Sequence, residues 1–192
     1  MDKGRLEAFS DGVIAILITI MVLELRPPEG TTLDALQPLV PVFASYVLSF
    51  VYLGIYWNNH HHLLQAAKLV DGRVLWANMF LLFWLSLVPF ATAWMGEHQF
   101  APVPTSVYAC VLLVAALSYT VLVAALRRVP GQAETIRRAS GTDRKGLVSL
   151  LIYVAAIVVA LVAPLVAFGL FVIVACIWFV PDRQVERALG DS

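Results

Sequence analysis

Charge is scarce in this chain. Of 192 residues only 14% are Asp, Glu, Lys or Arg, and acids and bases balance at 13 each. A soluble domain of this length carries far more charge; the balance itself says nothing about partners, and no nucleic-acid partner is expected of a membrane protein of this kind. Cysteine is nearly absent: Cys110 and Cys176 both lie inside apolar runs, where a thiol packs as a small hydrophobe, so no disulfide framework is expected. No G-x-S-x-G or comparable nucleophile motif occurs, which leaves an intramembrane hydrolase without support. Three of the four histidines are consecutive, His60, His61 and His62, and His98 is expected at the opposite membrane face. Consecutive helical residues point ~100° apart and cannot share one ion, so no metal, no cofactor and no enzymatic activity are expected.

What remains is apolar. Hydrophobic residues make up 60% of the sequence and fall in repeated long runs separated by short charged loops, the pattern of an all-α integral membrane protein in a lipid bilayer. The amino terminus carries Asp2, Glu7 and Asp11, and Leu25-Arg26-Pro27 offers no small-residue cleavage site, so it reads as a retained helix and not as a signal peptide.

Six spans are expected within a single domain, residues 1–192. They cover residues 5–25, 39–62, 72–94, 105–126, 147–163 and 165–180. Pro27-Pro28 ends the first, Asp71 caps the third, and Pro89 kinks it. The block from Leu147 to Val180 is too long for one helix, and Pro164 divides it into a hairpin of two short ones. With both termini cytoplasmic, the inner segments hold twelve basic residues and the outer segments only Arg26, as the positive-inside rule requires. The inner set includes Arg183 and Arg187, which a five-span arrangement would place outside. The largest polar stretch, 127–146, reads as a solvated cytoplasmic loop with an affinity for anionic lipid heads as the sharper alternative. The implied location is the cell membrane.

The first span is entered through charge. Arg5, Glu7, Ser10 and Asp11 lead into the apolar run Gly12 to Leu23, whose twelve residues rise only ~18 Å against ~30 Å of hydrocarbon. The helix therefore runs back through Asp11 towards Arg5, and charges at membrane depth mark a functional site. At 100° per residue, Arg5, Phe9, Gly12, Ile16, Ile20 and Leu23 share one narrow face with Thr19 at its border. Glu7 and Asp11 point to the other side, towards helices of the same chain. Periodicity alone allows the apolar face to be plain packing against lipid or a neighbour.

The run Arg5-Leu6-Glu7-Ala8-Phe9-Ser10-Asp11-Gly12, an R-x-x-x-F-S-D pattern at the mouth of a first span, resembles the signature of the transmembrane protein 175 family of potassium channels. The likeness continues through Ala15-Ile16-Leu17-Ile18-Thr19 and Leu23-Glu24. It implies the single-repeat prokaryotic form: a homotetramer, K⁺-selective and leak-type, whose central pore is lined by the first helix of each subunit. Ile16, Ile20 and Leu23 would then stack as hydrophobic rings that gate by dewetting and strip water from the ion. Thr19 matches a threonine tied to selectivity in that family; the plainer reading bonds its hydroxyl back to its own helix. A secondary cation transporter is the alternative, although no repeat is visible.

The second polar concentration is Tyr56-Trp57-Asn58-Asn59-His60-His61-His62. Family members carry a Trp and a His at this end of the second helix, and the resemblance implies a network of Arg5, Asp11, Trp57 and either His60 or His61. Asn78 on the third helix is a further candidate. Such a network offsets the desolvation of Asp11, either as a pivot for gating or assembly or as a packing clamp alone.

Overall fold

The structure is a computed structural model in which residues 3–140 and 143–179 are described. Val180, Arg183 and Arg187, which close the expected sixth span and supply its inner charge, lie outside the described residues. Helix α1 spans Lys3–Leu23, α2 Val40–Ala66, α3 Gly72–Ser86, α4 Val88–Glu97 and α5 Pro102–Arg127. They are followed by α6 at Ala133–Ala139, α7 at Asp143–Val162 and α8 at Pro164–Phe179; a 3-10 segment, Leu33–Leu39, leads into α2. No strand occurs among the described residues.

Length and apolarity allow five segments to cross a membrane: Lys3–Leu23, Leu33–Ala66, Gly72–Glu97, Pro102–Arg127 and Arg144–Val162. Helix α8 is shorter at 16 residues, about 24 Å of rise. Helix α1 has 21 residues and rises about 32 Å, so it reaches bilayer thickness only because it begins at Lys3 and not at the apolar run.

Proline sets two interruptions. The third span breaks at Leu87 because Pro89 has no N–H for the carbonyl of Leu85, and the chain restarts as α4. Asp71 caps α3 as expected, its carboxylate accepting from Val74 N at 2.9 Å. Pro164 opens α8 after a single intervening residue, Ala163, beyond the end of α7. The two form an antiparallel hairpin, closed at its far end by Trp178 Nε1 donating to Ser149 Oγ at 2.9 Å.

Helix α5 lies at the centre, packed against α3, α4, α7 and α8, whereas α1 sits at the edge against α2, α3 and α4. Buried hydroxyls tie the layers. Ser49 on α2 bonds Thr92 on α4 at 2.7 Å and Tyr108 on α5 at 2.8 Å, and Tyr52 donates to the Phe171 carbonyl of α8 at 2.6 Å. Helices α2 and α4 approach so closely that a Cβ at Gly96 would lie 2.8 Å from Val42 Cα.

The polar stretch after α5 is more than a solvated loop. Gly131, at φ +81°, turns the chain so that Gln132 is buried beneath it. Gln132 Oε1 accepts from the backbone of Lys68 and Leu69 at 2.9 and 3.1 Å, and Nε2 donates to the Leu126 carbonyl at 3.0 Å. Ile136 of α6 is fully buried against this anchor. On the outer side Arg137 and Arg138 hold Glu134 at 2.9 and 3.1 Å and pull its carboxyl down to about 2.

Candidate functional site

Helix α1 divides into two faces. Leu6, Ser10, Ile14, Leu17 and Met21 recur at helical spacing and are buried in the chain's own core. Across the helix, Phe9, Ile16, Ile20 and Leu23 are 50%, 57%, 40% and 78% exposed, and Arg5, Gly12 and Thr19 are exposed beside them. The face expected from 100° spacing is therefore left bare by the rest of the chain. Thr19 Oγ1 donates to the Ile16 carbonyl at 2.9 Å, the back-bond weighed above. A hydroxyl that donates inward keeps its oxygen lone pairs for an outside partner.

The lower half of α1 is held by two polar groups that do not merge. The outer one is partly exposed. Trp57 Nε1 donates to Asp11 Oδ1 at 3.1 Å, the Trp57 ring stacks on His61 with centroids 5.8 Å apart and planes 20° apart, and His61 Nδ1 lies 3.2 Å from Glu7 Oε1. The inner one is wholly buried: His60, Asn78 and Ser10 are all at 0% exposure. Asn78 Oδ1 faces His60 Nε2 at 2.6 Å, Asn78 Nδ2 donates to Ser10 Oγ at 2.9 Å, and Ser10 donates to the Leu6 carbonyl at 2.8 Å. Because Asn78 Oδ1 can only accept, His60 donates to it from Nε2.

This arrangement answers the question left open between His60 and His61. Neither pairs with Asp11. His60 turns inward to α3, His61 turns outward to Glu7, and Asp11 is taken by Trp57. Arg5 lies outside both groups: it is exposed, on the same side as Phe9 and Ile16, and no bond to it is seen among the described residues. The spacing already put Arg5 on that face, and the network membership drawn from the resemblance does not hold within one chain. Glu7 takes the place expected for Arg5, as its 180° position on the wheel allowed.

Consecutive histidines thus diverge, as their geometry requires. Glu7, Asp11 and His61 do bring one ligand atom each within 4.8 Å of one another. Three ligands fall short of the four of a closed zinc site and match only the count of an open one, completed by water.

Apolar helices of bilayer length, a buried polar clamp and a first helix with one uncovered stripe define a multi-pass α-helical membrane protein. Comparison with known proteins narrows the class. The family described as "Endosomal/lysosomal potassium channel TMEM175" matches residues 5–89, the segment from the signature arginine through the break at Pro89. A potassium channel from Chryseobacterium sp. (strain P1-3) is 48% identical over 192 residues, covering 100% of both chains. One from Streptomyces collinus (strain DSM 40733 / Tue 365) is 36% identical over 129 residues, 63% of each. The crystal structure of a lysosomal potassium-selective channel TMEM175 homologue from Chamaesiphon minutus superposes with a TM-score of 0.80 at 26% identity, over 92% of this chain and 96% of that one. The chain belongs to the TMEM175 family.

Proposed function

We propose that this chain is the subunit of a homotetrameric, leak-type potassium channel of the cell membrane, with six passes, both termini cytoplasmic and a central pore lined by α1. One observation carries the reading: in a member of this family, α1 is bolted to α2 and α3 along one side and bares Phe9, Ile16, Ile20 and Leu23 along the other. Four such stripes around an axis form a tube. The relatives named as potassium channels supply the ion.

In this tube Ile16, Ile20 and Leu23 form three apolar rings one turn apart. A ring of isoleucine side chains offers no ligand, so an ion passes only after giving up much of its hydration shell, and the pore closes by dewetting. K⁺ holds its water less tightly than Na⁺, so such a constriction favours it without a carbonyl filter. Thr19 borders the rings, its donor spent on Ile16 O and its oxygen turned outward to an ion that has lost water. Arg5 and Phe9 continue the face into a wet inner vestibule, where a guanidinium is tolerated. Asp11, Trp57, Glu7 and His61, with His60, Asn78 and Ser10 beneath them, fix the rotation of α1 and hence which residues face the axis. No cofactor takes part.

Potassium-gradient flux into proteoliposomes holding the purified chain, with Na⁺ and Cs⁺ in parallel, tests this. Downhill electrogenic K⁺ flux exceeding Na⁺ flux, without a coupled ion, is the expected result. Silence for all three ions rejects the channel, and flux that needs a second coupled ion assigns a transporter.

A further inference from the structure

Two carboxylates at the mouth of α1 lack a fixed counter-charge. Glu7 and Asp11 stand one turn apart on the same face of the helix, where like charges repel, and they lead into the apolar run, where bare charge is costly. Among the described residues no lysine or arginine is paired with either. Lys3 gives its Nζ to the Gln65 carbonyl at 2.8 Å, and Arg5 lies on the opposite face of α1. What faces them from α2 is His61. Its Nδ1 stands 3.2 Å from Glu7 Oε1, is cut off from solvent and completes no hydrogen bond.

The spacing suits a shared ion. Two ligands of a tetrahedral ion with bonds of about 2.0–2.1 Å lie about 3.3 Å apart, close to the Glu7–His61 distance of 3.2 Å. Glu7, Asp11 and His61 each bring one ligand atom within 4.8 Å of the other two, so a point within about 2.8 Å of all three exists. Carboxylate rotation then has to close less than about 1 Å to reach zinc bond lengths. Trp57 supports two of the three: its Nε1 holds Asp11 Oδ1 at 3.1 Å, and its ring stacks on His61 with planes 20° apart. Such partners orient ligands before an ion arrives. The His61 and Glu7 side chains remain 33% and 21% exposed, which leaves an ion and a water a way in. The histidine run itself cannot share a metal, but this set draws a single histidine from it and takes both carboxylates from α1. We propose that Glu7, Asp11 and His61 bind a divalent transition-metal ion of the zinc class, with water in the open position, and that the ion staples α1 to α2. An imidazole with two carboxylates suits zinc and its first-row neighbours over Mg²⁺ and Ca²⁺, which take oxygen ligands. The ion offsets the two like charges and adds to the bonds that set the rotation of α1.

The full chain, freed of any purification tag and stripped with chelator in neutral detergent, is titrated with Zn²⁺ against a chromogenic chelator. Saturation at one ion per chain is the expected result. Glu7→Gln, Asp11→Asn and His61→Asn should each lower affinity at least tenfold, whereas His98→Asn, at the end of α4, should leave it within twofold. Asp11→Asn can still accept from Trp57 and Glu7→Gln keeps its length and shape, so these variants guard against a folding defect in the histidine variant. Zinc should also move the unfolding midpoint in mixed micelles upward for the parent and not for Glu7→Gln. Absence of saturable binding, or binding that Glu7→Gln and His61→Asn leave unchanged, overturns the site and leaves Glu7 and His61 an ordinary ion pair. Displacement of zinc by equimolar Mg²⁺ or Ca²⁺ overturns the class of metal. The readouts are binding and stability, so they stand or fall independently of ion flux.

Discussion

Replacing Asn78 by leucine tests the inner clamp at its middle link. Asn78 is fully buried, accepts from His60 Nε2 at 2.6 Å and donates to Ser10 Oγ at 2.9 Å. Leucine keeps much of the volume and neither polar group. Ser10 loses an incoming bond but keeps its own to the Leu6 carbonyl, so the one new orphan is the N–H of His60. A stranded buried donor costs about 1–3 kcal/mol in soluble proteins. Side-chain hydrogen bonds between membrane helices average nearer 0.6 kcal/mol, with about 1.7 at the top. Counting the His60 orphan in place of its lost bond and adding the bond lost by Ser10, the substitution costs about 1.5–3.5 kcal/mol, roughly a ten- to four-hundredfold shift in the folding equilibrium. The assay is unfolding in mixed micelles, followed by circular dichroism. Adding His60→Phe removes the orphan, and the pair should recover most of the loss. A single variant within about 0.3 kcal/mol of the parent, or a pair worse than the sum of its singles, refutes the chain of bonds described.

Ile16→Asn places an amide in the first apolar ring and is expected to raise K⁺ flux in liposomes while lowering the K⁺/Na⁺ ratio; unchanged flux and ratio remove Ile16 from the pore. Gly96→Ala puts a Cβ 2.8 Å from Val42 Cα, a backbone atom that cannot turn aside, and forcing α2 and α4 apart costs about 1–3 kcal/mol in the same unfolding assay. Glu134 is held near 2 by Arg137 and Arg138. A depressed carboxyl stabilises above its ordinary value of 4.5 and loses that contribution as pH falls through about 2, so the α6 pairing should persist at pH 4. Carbon-13 NMR of the Glu134 carboxyl reads it directly, and a midpoint near 4.5 contradicts the pairing.

The two faces of α1 were legible because helical period alone assigns them, and the bare stripe is the one that 100° spacing selects. Pro89 and Pro164 were legible for a similarly local reason, since a missing N–H interrupts a helix whatever surrounds it. The partners of the clamp were not. His60 and His61 are adjacent, and which one meets α1 depends on the roll of α2 between α1 and α3, a tertiary quantity with no trace in spacing. Arg5 was assigned to the network by likeness and to the bare face by geometry, and within one chain geometry prevailed. Ser49, Thr92 and Tyr108 are single hydroxyls on three apolar helices, unremarkable until packing brings them within 2.8 Å. Gln132 hid in a polar stretch where one buried amide looks like any other loop residue.

Gln132 also bears on how the chain is threaded into a membrane during synthesis. Its partners Lys68 and Leu69 leave the ribosome some sixty residues earlier, with α3, α4 and α5 still to come. The bonds can close only when both loops end on the same side of the bilayer. An inverted hairpin would leave a buried amide and two backbone donors unmatched on opposite surfaces. The residue thus acts as a check on topology, satisfied late and only by the correctly oriented chain.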